Sequence, residues 1–213
     1  MDETLTIDEI FARAPVIPVV TIADPAAAVP LARALLEGGL PVIEVTLRTP
    51  AALEALSRIA QELPDALPGA GTICDPEQYR QARTAGARFA VSPGLTPALF
   101  EAGRTGEVPL LPGVATASEI MAAREAGYRL LKFFPAEPAG GAAALKAFAG
   151  PFPDVRFCPT GGITLASAPG YLALSNVLCV GGSWMVPKAA IESGDWDEIT
   201  RLACTAAALT GKQ

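Results

Sequence analysis

Apolar residues along this chain fall into runs of strand length. Eight such runs stand out: PVIPVVTI (15–22), PVIEVTL (41–47), LPGAGT (67–72), ARFAVS (87–92), VPLLPG (108–113), YRLLKFF (128–134), VRFCPT (155–160) and NVLCVGG (176–182). The segments between them are Ala-rich or amphipathic and read as helices. Asp24-Pro25, Thr49-Pro50, Asp75-Pro76 and Thr96-Pro97 each place a capping side chain ahead of a proline at the first helical position. Thr6 with Glu9 and Thr116 with Glu119 have the spacing of a capping box. Gly38-Gly39, Gly86 and Gly127 mark helix ends, and the Pro/Gly clusters at 135–141 and 150–153 read as loops flanking the helix after the sixth run.

Alternation of strand and helix specifies a parallel α/β sheet, and strands apolar on both faces favour closure. The pattern therefore predicts a (β/α)8 TIM barrel with an extra N-terminal helix, about residues 6–14, capping the bottom. The 213 residues fit one domain, 1–213.

Composition narrows the chemistry more than the fold. The chain is 51% hydrophobic and 18% charged, and no run reaches the roughly 18 consecutive apolar residues of a membrane span. The start, MDETLTIDEIFARAP, is acidic and lacks both a basic region and a continuous apolar one, so no signal peptide and a cytoplasmic location are expected. A net charge of −6 speaks against nucleic acid as a partner. Histidine is absent, which removes the commonest general base and metal ligand. Cys74, Cys158, Cys179 and Cys204 form no Cys-x-x-Cys pair and read as reduced packing residues, with Cys204 the one candidate for a reactive surface thiol. No metal and no cofactor are expected.

Reacting groups in a barrel gather at the C-terminal ends of its strands. In the second run Glu44, Thr46 and Arg48 alternate with Ile43, Val45 and Leu47 and so share one face. In the sixth, Lys132 and Phe134 share a face, and Lys132 interrupts an otherwise apolar strand. Lys146, Lys188 and Lys212 fall on helices or the tail, where a solvated charge is ordinary. Burying an ammonium costs several kcal/mol unless it is paired or neutralised. A lysine taken out of water holds its proton less tightly and supplies the free amine that attacks a carbonyl. Glu44 is the inward carboxylate available as acid and base, although an internal Lys132–Glu44 salt bridge is a structural alternative. Arg48 offers a planar fork for a substrate carboxylate, or else a rim ion pair. CPTGGIT (158–164) and VGGSWM (180–185) each follow a strand with two glycines and lead toward a helix, the make-up of a phosphate cradle, though tight βα turns would look the same.

These residues, together with PVIPVV, IEVTLRT, GAGT, FAVSPGLT, PGVAT, LKFFPAE, PTGGI and VLCVGGSW, closely resemble the 2-keto-3-deoxy-6-phosphogluconate (KDPG) and 4-hydroxy-2-oxoglutarate (KHG) aldolases over almost the whole chain. Two mild departures are Ser167 where asparagine is common and Ala117 where proline is common. The resemblance implies a class I aldolase, an aldehyde-lyase of the Entner-Doudoroff pathway. It would cleave KDPG to pyruvate and glyceraldehyde 3-phosphate, with KHG or the galactonate-derived epimer as further substrates. It implies Lys132 as the Schiff-base amine, Glu44 as acid and base, and Arg48 and Thr72 on the pyruvate carboxylate. Pro93 and Phe134 would shape the pocket, with Thr160, Gly161, Gly162, Gly182 and Ser183 around the phosphate end. The partner implied is a small keto-acid phosphate, and the assembly a metal-free homotrimer. Two rivals stay open: a phosphate-binding isomerase or synthase without an imine, and a catalytically silent barrel.

Overall fold

Each of the eight apolar runs carries strand structure in the computed structural model, which describes residues 5–209. Lys212 and the first four residues of the acidic N-terminal segment lie outside the described residues. The strands are β1 Val16–Val20, β2 Val42–Thr46, β3 Leu67–Gly71, β4 Ala90–Val91, β5 Leu110–Leu111, β6 Gly113–Val114, β7 Leu130–Phe133, β8 Arg156–Pro159 and β9 Val180–Gly182. Every pairing is parallel, in a sheet ordered β5-β4-β3-β2-β1-β9 and a second ordered β6-β7-β8. Isolated parallel bridges, Phe157 to Val177 and Thr160 to Gly181, carry the curl of the sheet from β8 toward β9.

The fifth run differs from expectation in breaking into two short strands. Pro112 between them has no N–H to continue a ladder, and its carbonyl accepts from Lys132 N at 2.9 Å. β5 thus pairs back to β4 while β6 pairs forward to β7.

The helices are α1 Ile7–Phe11, α2 Ala28–Glu37, α3 Ala52–Glu62, α4 Pro76–Thr84, α5 Pro97–Thr105, α6 Ala117–Glu125, α7 Gly141–Phe148, α8 Ala168–Leu172, α9 Lys188–Ser193 and α10 Trp196–Ala207, with a 3-10 turn at Pro25–Ala27. Both capping boxes form, and Asp24, Asp75 and Thr96 cap as expected. Thr49 does not. Its hydroxyl donates to Ile22 O at 2.5 Å, so α3 starts at Ala52 without a side-chain cap. A carbonyl at the end of β1 outcompetes the helix for that hydroxyl.

Two apolar layers result. The larger lies between helices and sheet. The smaller gathers inward-facing side chains of successive strands, Ile17, Val42, Leu67, Val91, Leu111, Leu130 and Cys158, over which α1 lays Ile10 and Phe11. Phe11 meets Phe89 edge-on at 5.1 Å, and its full burial is worth about 1.5–3 kcal/mol. Cys158 and Cys179 are packing residues in this layer, whereas Cys74 and Cys204 are exposed, which corrects the reading of those two as packing residues. Among the described residues no helix is long and apolar enough to cross a membrane.

Burial also raises the phenol pKa of Tyr79, Tyr128 and Tyr171, the chain's three tyrosines, with Tyr128 pushed up to about 12. Tyr171 is held further by donating to Glu137 Oε1 at 2.6 Å. Above the ordinary phenol value near 10 the folded chain binds more protons than the unfolded one, so stability falls with rising pH. Full stability is expected below about pH 10, with progressive loss between about pH 10 and 12. Urea midpoints measured alongside phenolate absorbance test this, and a midpoint unchanged across that window would refute it.

Candidate active site

The upper end of the curled sheet is polar because β2 and β7 each place one ionisable residue among apolar neighbours. Lys132 Nζ donates to Glu44 Oε1 at 2.9 Å, and the two residues are only 4% and 3% exposed. The pairing foreseen from the sequence is present, and it spans from β7 to β2. Register aligns Glu44 with Gly69 of β3, and Lys132 with Gly113 of β6 and Cys158 of β8. One glycine makes room for Glu44 and another for Pro93. A Cβ on Gly71 would lie 2.2 Å from Glu44 Oε1, and one on Gly113 would lie 2.4 Å from the Pro93 carbonyl carbon. Pro93 is thereby held against the strand position that faces Lys132.

Above the pair the polar residues continue. Phe134 turns its ring toward Lys132 Nζ, which sits 5.4 Å from the centroid. Arg48 lies beyond the end of β2 and is exposed, where the sequence suggested an inward strand position. Its Nε donates to Thr72 Oγ1 at 3.1 Å, and among the described residues it forms no ion pair with a carboxylate. Arg48 also lines the pocket described below. Thr72 adopts φ +63°, the one non-glycine residue in the left-handed region among the described residues. That conformation costs about 1–3 kcal/mol and recurs at ligand clamps; here it is fixed by the Arg48 bond and by Ile73 N donating to Val91 O at 3.0 Å.

Arg48, Phe134, Thr160, Gly161, Gly162, Gly182 and Ser183 line one pocket of about 200 Å³, together with Val19, Thr21, Ile163 and Gly181. Lys132, Glu44, Thr72 and Pro93 are outside that lining; Lys132, paired with Glu44, meets it through the Phe134 ring and Thr72 through Arg48. Gly161 and Gly162 have φ of +106° and +82°, and a Cβ on Gly162 would meet the Glu137 side chain at 2.8 Å, so the turn requires glycine. Glu137 N–H and Ala136 N–H hold the turn by donating to Gly161 O and Thr160 O. Thr160 Oγ1 is buried and has no hydrogen-bond partner among the described residues. Such orphaned hydroxyls call for a ligand or another explanation.

The cradle departs from expectation in its backbone. Neither glycine pair runs straight into a helix: α8 begins at Ala168 and α9 at Lys188. No helix N-terminus therefore follows directly on either glycine pair. Gly182 lies in a strand, where a Cβ would strike the Trp184 ring at 2.0 Å, so close packing explains that glycine. Ser167, the departure noted above, accepts from Thr164 N at 3.0 Å and closes the loop between the turn and α8.

Residues 7–202, which include the buried amine–carboxylate pair, Arg48 and the glycine turn, match a family model described as KDPG and KHG aldolase. The chain belongs to the KDPG and KHG aldolase family. It is 54% identical over 94% of its length, and 94% of the relative's, to the 2-dehydro-3-deoxy-phosphogluconate aldolase of Dickeya dadantii. It is 52% identical to the KHG/KDPG aldolase of Escherichia coli K12, covering 92% of each chain. Its structure superposes with TM-score 0.93 and 51% identity on the Legionella pneumophila KDPG aldolase, whose crystal structure holds pyruvate captured at low pH as a covalent carbinolamine intermediate. The match covers 94% of this chain and 98% of that one.

In this KDPG/KHG aldolase family member, sequence reasoning passed over Thr21, Gly71 and Val19. Gly71 was within reach, since GAGT puts a small residue beside Glu44 in a parallel register. Thr21 gives no sign in sequence, because its position depends on hydrogen bonds between strands.

Proposed function

We propose that this chain is a class I aldolase that cleaves KDPG to pyruvate and glyceraldehyde 3-phosphate through an imine on Lys132. The observation that carries the reading is the buried Lys132–Glu44 pair at 2.9 Å, set beneath Arg48 and a glycine-turn pocket. Lys132 Nζ attacks the C2 ketone, and loss of water from the carbinolamine leaves an iminium that draws electrons from the C3–C4 bond. Glu44 takes the C4 hydroxyl proton as that bond breaks, releasing the aldehyde. The enamine regains a proton at C3, and hydrolysis frees pyruvate and the amine. One carboxylate in contact with the amine serves each transfer in turn, with water bridging the distance to carbon.

Arg48 grips the substrate carboxylate in a planar fork, and Thr72, tied to Arg48 Nε, fixes its orientation. Phe134 and Pro93 wall the amine. Thr160, Gly161, Gly162, Gly182 and Ser183 receive the phosphate end through turn N–H groups and hydroxyls. The rise of the sheet order, the bridges between β8 and β9 and the inner apolar layer under α1 support a single closed (β/α)8 barrel spanning the chain, with α1 as the extra N-terminal helix. The homotrimer and the cytoplasmic location expected from the sequence belong to the same proposal.

Borohydride reduction in the presence of pyruvate is expected to fix a stable adduct on the peptide carrying Lys132, and KDPG to be cleaved in a coupled assay. An isomerase or synthase using the same pocket would form no adduct, and that result would reject the imine. Running KHG and the C4 epimer of KDPG in the same assay ranks the substrates.

A further inference from the structure

Hydroxyl directions at the ends of β1 and β2 identify a pocket group whose chemistry is already determined. Thr46 Oγ1, fully buried, donates to Val20 O at 3.0 Å, and a carbonyl can only accept. Thr46 Oγ1 also lies 2.9 Å from Thr21 Oγ1. A threonine hydroxyl has one proton. Thr46 spends its proton on Val20 O, so Thr21 is the donor in the second bond. With that proton committed, the remaining lone pairs of Thr21 Oγ1 can only accept. The backbone around it is pinned on both sides, because Thr46 holds Val20 O and Thr49 holds Ile22 O. Thr21 lines the 200 Å³ pocket together with Arg48, Ser183 and the glycine turn.

That pocket is otherwise rich in donors. Arg48 can only donate, and two of the carbonyls at the turn, Thr160 O and Gly161 O, are already taken by Ala136 N and Glu137 N. A fixed acceptor among donors suits a ligand that carries a hydroxyl next to its anionic groups. We propose that Thr21 is a specificity-determining residue that accepts a hydrogen bond from the substrate hydroxyl lying between the new carbon–carbon bond and the phosphate. The inference rests on the aldolase reading above and adds to it a contact with the aldehyde half.

The test is a cycle of enzyme against substrate in the condensation direction. Pyruvate is condensed with glyceraldehyde 3-phosphate, whose 2-hydroxyl is the group in question, and with 3-oxopropyl phosphate, which lacks only that hydroxyl. The unmodified enzyme is expected to prefer the hydroxylated aldehyde in kcat/KM. Thr21→Val, of equal shape, should lower kcat/KM about tenfold for that aldehyde and leave the deoxy one unchanged, the size of one lost hydrogen bond. Thr21→Ser should retain the preference. Equal losses on both aldehydes would assign Thr21 a merely structural role, and no loss on either would remove the contact; each overturns the proposal. Borohydride trapping of pyruvate by the unmodified enzyme reports separately on the aldolase reading, since it involves no aldehyde.

Discussion

Replacing Lys132 with methionine is expected to lower kcat/KM for KDPG cleavage by roughly 10⁴-fold or more, and to abolish the borohydride adduct with pyruvate. Methionine fills nearly the same volume but has no nucleophile. The change also removes the partner of a carboxylate that is 3% exposed. Breaking a buried pair from one side costs about 3–5 kcal/mol, more than the pair itself contributes, because the remaining charge stays desolvated. A drop in melting temperature of about 10 °C is therefore expected beside the loss of activity. Instability and chemistry can be separated. Adding Glu44→Leu to Lys132→Met removes the stranded charge and should recover most of the stability while restoring no turnover. A Lys132→Met enzyme that still cleaves KDPG within tenfold of the original rate would eliminate the imine mechanism.

The same pair shows why some parts of this protein could be read from its sequence. A lysine within YRLLKFF is conspicuous because a charge in a buried strand needs a reason, and alternation in IEVTLR turned Glu44 toward it. The strands were legible from apolar runs, as were the capped starts at Asp75, Thr96 and Thr116. Legibility failed where a residue had two competing partners. Thr49 had cap geometry available, but Ile22 O lies within 2.5 Å of its hydroxyl, and no local pattern records a carbonyl from another strand. Arg48 kept the strand's alternation in sequence, yet β2 stops at Thr46 and the guanidinium reaches Thr72 from outside the strand. The left-handed backbone of Thr72 was hidden for a related reason: such a φ is foreseen at glycine, whereas here tertiary bonds impose it on a threonine. The turn at Gly161-Gly162 was found, but Gly181-Gly182 belongs to β9, and the helices after both pairs start several residues later than the motif suggests.

Glu44→Gln separates amine from acid. The amide keeps the volume and can still accept from Lys132 Nζ through its oxygen, so the fold and the position of the amine are expected to survive. It cannot carry a proton at neutral pH. Loss of a positioned acid/base group costs about 10²–10⁴ in rate, and kcat for KDPG should fall in that range. The adduct with pyruvate should still form under borohydride, more slowly, because its nucleophile is intact. Exchange of the pyruvate methyl hydrogens with deuterated solvent isolates the step at carbon: it requires the enamine and its reprotonation but no carbon–carbon cleavage. If Glu44 serves both transfers, exchange and cleavage should fall by similar factors. Exchange at the original rate with cleavage lost would confine Glu44 to the hydroxyl proton and leave C3 to water. Since the two residues act as one unit, Lys132→Met with Glu44→Gln should be no slower than Lys132→Met alone. A further loss in the double variant would mean that Glu44 contributes to a route that does not pass through the lysine.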